Sequence, residues 1–200
     1  MQFFEYGYKE IEHLKRRDKK LGAAIDRIGM IQREITPDLF TTLISSIVSQ
    51  QISKKAAETV WNRLSLLVGR ITPENIEKVG QDEFQSCGMS ARKASYIQGI
   101  ATAAISGAVN FDILHTLSDE EIIKRLSSLN GVGVWTAEML LIFSLCRPDV
   151  VSYGDLAIRR GMVNLYGLKE LPKEKFDRYA KRYSPYGSIA SLYLWELSVV

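Results

Sequence analysis

The residues best suited to chemistry sit in one short stretch, Leu129-Asn130-Gly131-Val132-Gly133-Val134-Trp135. Two glycines separated by one residue follow one helical pattern and precede another, Thr136 to Cys146. Glycine tolerates positive φ, so a tight turn here can aim backbone N–H groups outward at a helix start. The helix dipole adds positive potential at that point. The amides of Gly131, Gly133 and Val134 would therefore suit an anion such as a backbone phosphate, positioning it without reading any base. The same spacing also describes a plain glycine turn between packed helices. Other chemistries lack their residues. Cys87 and Cys146 are the only cysteines, too few for a disulfide framework or a four-cysteine zinc or iron–sulfur centre. His13 and His115 stand alone, which argues against a bound transition metal.

Those residues must be positioned by helices. Thr36-Pro37 reads as an N-cap and first-turn proline opening the run Asp38 to Gln51, with Leu39, Leu43, Ile44, Ile47 and Val48 as its apolar stripe. Ser53 caps a second run, with Ala56, Ala57, Val60, Trp61, Leu64 and Leu67 inward and Gly69 as its stop. Ser90 caps Ala91 to Ser106, and Ser118 with Glu121 forms a capping box. Only Asp149 to Ser152 looks like a strand. The expected fold is all-α, with two helical lobes flanking a cleft and the hairpin element at about 118–146.

Composition is that of an ordinary globular chain: 200 residues, 46% apolar, 24% charged and a net charge of +3. That balance permits a nucleic-acid partner and excludes disorder. From Arg159 to Arg182 the net charge is +5, which fits a solvated helix face as well as a DNA surface. Met139 to Cys146, the longest apolar run, falls well short of a membrane span of roughly 18 residues. The N-terminus mixes acids and bases from Glu5 onward, so no signal peptide is expected and the cytoplasm is the expected compartment.

The string LNGVGVWTAEMLL resembles the helix–hairpin–helix of base-excision DNA glycosylases. Asp155 follows Trp135 by twenty residues, as an aspartate does in that superfamily. Upstream, Ser49-Gln50-Gln51-Ile52-Ser53 resembles a segment of its alkylpurine branch. Downstream, Tyr183-Ser184-Pro185-Tyr186-Gly187-Ser188 with Leu194-Trp195 resembles that branch's ending. The ordered set is most like the 3-methyladenine DNA glycosylase II group.

The resemblance implies a monofunctional glycosylase that flips an alkylated purine out of duplex DNA and hydrolyses its N-glycosidic bond. Asp155 would be the catalytic carboxylate, stabilising positive charge on the sugar; unaided, it reads as a helix N-cap. Trp135 and Trp195 would form the base pocket, with Met139 where relatives place a second aromatic; unaided, each tryptophan reads as core. Trp135 stands where bifunctional members carry a lysine nucleophile, so water must complete the displacement. Gln51 would wedge into the duplex, although Gln50 and Gln51 also suit a polar helix end. Lys54, Lys55, Arg92 and Lys93 would contact phosphates. The carbonyls of Leu129 and Val132 would hold a structural Na⁺ or K⁺, and no other cofactor is expected.

Gly187 departs from the family pattern, which places an arginine there. The chain is expected to be the compact catalytic core, acting as a monomer on damaged double-stranded DNA. Two alternatives remain at this level: an idle helix–hairpin–helix DNA-binding module, and a glycosylase of the same fold for oxidised or mismatched bases.

Overall fold

The computed structural model describes residues 2–199. In chain order the elements are β1 (Gln2–Phe3), α1 (Tyr8–Arg17), α2 (Lys19–Ile28), β2 (Glu34–Ile35), α3 (Leu39–Ser49), α4 (Lys54–Val68), α5 (Pro73–Glu77) and α6 (Gln81–Ser86). They continue with α7 (Ala91–Ile105), a 3₁₀ turn (Phe111–Thr116), α8 (Asp119–Ser127), α9 (Val134–Phe143), α10 (Leu156–Tyr166), α11 (Lys173–Tyr183) and α12 (Gly187–Leu197). The fold is all-α. Its one sheet among the described residues is the two-residue antiparallel pair β1–β2. The chain divides into two compact units, Thr36–Leu140 and Met1–Ile35 with Leu141–Val200.

In the Thr36–Leu140 unit, α3 buries Leu39, Phe40, Leu43, Ile44, Ile47 and Val48. Its cap is not Thr36. Asp38 accepts from the Thr41 N–H at 3.0 Å and from the Thr41 hydroxyl at 2.8 Å, which leaves Pro37 ahead of the helix. The helix also stops at Ser49, because Gln50 turns extended and Gln51 enters the left-handed region at φ 57°. Helix α4 keeps its expected Ser53 cap but buries only Val60 and Leu64, so its stripe is narrower than the spacing suggests. In α8 the capping box is present, with Ser118 and Glu121 each accepting from the other's N–H at 3.3 Å.

The other unit is centred on α12, which buries Ile189, Ala190, Leu192, Tyr193 and Leu194. The strand-like segment Asp149–Ser152 is extended but pairs with a helix instead of a strand. The Val150 N–H donates to the Ser188 hydroxyl at 3.0 Å, and the Ser191 hydroxyl donates to the Val150 carbonyl at 3.0 Å. Two serines on one face of α12 thus satisfy the polar backbone that a neighbouring strand would otherwise satisfy. Asp18 caps α2 and is itself buried; it accepts from the Tyr166 phenol at 2.6 Å and from Arg182 at 3.1 Å. Burial, then the Tyr183 phenol and the Asp18 carboxylate, push the Tyr166 phenol's pKa up, so it remains a donor.

Candidate active site and nucleic-acid contacts

The hairpin lies in the Thr36–Leu140 unit. Leu129's carbonyl accepts from the Val132 N–H at 3.1 Å, closing the turn, and Gly133's accepts from Ala137 at 3.1 Å, starting α9. The two glycines do different work. Gly131 has φ +84°, and a Cβ there would stand 2.3 Å from Cδ2 of Tyr96, so only glycine fits. Gly133 has no atom within 4 Å of the place a Cβ would occupy, leaving the first amides of α9 approachable by an anion.

Trp135 is 46% exposed, which does not suit a core tryptophan, and Met139 one turn on is half-buried. Gln51, Lys54, Lys55 and Arg92 are exposed. Lys93 is different. Its ammonium donates to the carbonyls of Val48 at 2.7 Å and Gln50 at 2.6 Å, leaving at most one N–H for a phosphate. Burial lowers its pKa. Gln50, to which sequence reasoning assigned no role beyond its place in the motif, donates from Nε2 to the Gly131 carbonyl at 2.9 Å.

Asp155 lies in the other unit, 7% exposed, as the N-cap of α10. Its Oδ1 accepts from the Ile158 N–H at 2.9 Å, and its own N–H donates to the Ser152 carbonyl at 3.3 Å. The capping reading holds, and the helix that Asp155 starts fixes the side chain's rotamer. In the same unit Trp195, half-buried, lies 5.3 Å from Phe143 with the rings tilted by 30°. The Arg33 guanidinium sits 5.1 Å from the Phe143 centroid and 5.9 Å from that of Trp195. This aromatic pair already attracts a cation, and neither Arg33 nor Phe143 was marked by any sequence motif.

Gly187 has a steric explanation. A Cβ there would lie 2.7 Å from Val151 Cγ2 and 2.8 Å from Asp149 Oδ1, and its N–H donates to that same oxygen at 2.9 Å. An arginine has no room. Several cations of the 159–182 stretch are engaged locally: Lys173 pairs with Asp177, Arg182 with Asp18, and Arg159 lies over Tyr153.

A profile of the HhH-GPD superfamily, base excision DNA repair proteins, matches residues 44–185. The chain belongs to this superfamily. Among curated relatives of this HhH-GPD protein, DNA-3-methyladenine glycosylase 1 of Schizosaccharomyces pombe is 38% identical over 80% of this chain and 72% of its own length. A crystal structure of a DNA-3-methyladenine glycosidase from Bacillus halodurans matches 99% of the chain and 93% of its own, with a TM-score of 0.90 and 36% identity. The S. pombe 3-methyladenine DNA glycosylase Mag1, solved in complex with abasic DNA, matches 96% of the chain and 98% of its own, with a TM-score of 0.84 and 34% identity.

Proposed function

We propose that this HhH-GPD protein is a monofunctional DNA glycosylase, releasing alkylated purines from duplex DNA by hydrolysis of the N-glycosidic bond. The observation that carries the reading is Asp155, a buried carboxylate locked by the first turn of α10 in a chain of a base excision repair superfamily. Cleavage of a glycosidic bond builds positive charge on the sugar, and a fixed carboxylate stabilises it without reorganising. An alkylated purine cation departs as a neutral base and needs no general acid. Tryptophan at position 135, in place of a lysine, leaves water as the nucleophile, so the product is an intact abasic strand.

The α9 amides and the exposed Lys54, Lys55 and Arg92 hold the phosphate backbone, while Gln51 fills the space left by the extruded base. Leu129 and Val132 offer carbonyls for a monovalent cation. Leu129's carbonyl keeps a second lone pair, and the Ser127 hydroxyl, two residues earlier, is buried with no hydrogen-bond partner among the described residues. This donor set of neutral oxygens fits Na⁺ or K⁺, which would add positive potential beside the phosphate.

Single-turnover release from a methylated duplex, followed by alkali, tests the reading. Strand breaks that appear only after alkali support it; breaks without alkali mark a lyase. Failure to release any base from a panel of lesions, with DNA binding intact, leaves a binding module. Trp135→Ala is expected to slow release of cationic bases about tenfold more than release of neutral hypoxanthine, the scale of a partly desolvated cation–π contact. Equal losses for the two classes would reduce Trp135 to a structural role.

A further inference from the structure

We propose that Lys93 and Gln50 are positioning residues for base extrusion, bracing the turn that presents Gln51 against the helix–hairpin–helix. The inference rests on the wedge role given to Gln51 above. Gln51 adopts φ 57°, a left-handed conformation that is unfavourable for a non-glycine residue and persists only where its surroundings hold it. Packing leaves one side of the turn open, where it borders a cavity of about 270 Å³ lined by Val48, Gln51, Ile52 and Met89 among others.

Two polar ties hold it instead. The Lys93 ammonium bridges the Val48 and Gln50 carbonyls at the C-terminal end of α3, where backbone acceptors lack helical partners and the dipole favours a cation. Gln50 then reaches the Gly131 carbonyl. Tyr96 closes the third side. It lies three residues after Lys93 on α7, on the same face, with its ring against Gly131. Helix α7, the end of α3 and the hairpin thus form a closed triangle, with Gln51 projecting from one corner. Lys93 was expected at a phosphate; its geometry assigns it to the protein's own backbone.

The test reads insertion of Gln51 directly, using duplex DNA with an abasic-site analogue opposite 2-aminopurine. Wild-type protein is expected to raise the fluorescence as the opposing base is unstacked. At saturating protein, Lys93→Met and Gln50→Ala should each reduce that rise by about threefold or more, while the salt slope of binding stays at the wild-type value. A full rise in both variants overturns the proposal. So does a salt slope smaller by about one in Lys93→Met, which would mark a phosphate contact.

Base release adds a second discrimination. The variants should lose about tenfold on a paired lesion but under about threefold on a bulged, already unstacked one. Equal losses on both substrates also overturn the proposal. Gln50→Ala leaves α7 untouched and carries the same readouts if Lys93→Met does not fold. Wild-type protein that inserts yet releases no base would reject the glycosylase reading and leave the brace standing.

Discussion

Asp155→Asn is expected to fold and bind abasic DNA as the wild type does, while releasing alkylated bases about 100-fold more slowly or worse in single turnover. The substitution separates the cap that Asp155 forms from the catalytic charge proposed for it. Asparagine is as good an N-cap as aspartate, so its amide oxygen can keep the hydrogen bond from Ile158 that Oδ1 now accepts at 2.9 Å. What disappears is the negative charge that the proposed mechanism sets against the positive charge developing on the sugar. Asp155→Ala removes both, and should show the same catalytic loss together with about 1 kcal/mol less stability from the missing cap. Thermal melts of the three proteins beside their release rates distinguish the contributions. An Asp155→Asn enzyme as active as wild type would remove Asp155 from the chemistry and leave it only the role of starting α10.

Features that depend on near neighbours in sequence were readable there. Ser53, Ser90, Ser118 and Asp155 each satisfy an amide three residues on, so type and spacing alone reveal them. Thr36 failed because Asp38, two residues later, is an equally good cap that sits next to the apolar run. Asp149–Ser152 has the composition of a strand, and nothing local says that its partners are Ser188 and Ser191, about forty residues away.

The site divides the same way. The glycine hairpin and Asp155 are local patterns. Arg33 over Trp195, Lys93 on the end of α3 and Tyr96 against Gly131 join residues brought together by tertiary packing, and no periodicity encodes those pairings. Lysine at position 93 looks like surface charge in sequence, because a carbonyl pair supplied by another helix leaves no local mark.

Gly161→Ala and Gly99→Ala are expected to move stability in opposite directions, although both replace a glycine within a helix. Gly161, in the middle of α10, is buried where that helix meets α12. A Cβ there would lie 1.9 Å from the Leu194 carbonyl oxygen and 2.7 Å from its carbon, backbone atoms that cannot rotate away. Asn164, one turn on, ties the same two helices by donating to the Leu197 carbonyl at 2.8 Å. Alanine must therefore push the helices apart by more than about 1 Å, at about 3 kcal/mol, the upper end of overpacking costs. For a chain of this size that lowers Tm by roughly 6–12 °C.

The separation also moves two proposed site residues apart, because Asp155 heads α10 and Trp195 lies on α12, beside Leu194. On the proposed roles of Asp155 and Trp195, a shift near 1 Å between them is expected to cost about 100-fold in release rate. Gly99, in α7, is exposed, and no atom lies within 4 Å of the place its Cβ would take. There alanine removes only the unfolded chain's extra freedom and should add about 0.4–1 kcal/mol with release rates unchanged. Denaturant melts and single-turnover release on both variants decide it. A Gly161→Ala protein with wild-type Tm and rate would mean that α10 and α12 do not approach backbone to backbone, and that the frame assigned to Asp155 is wrong.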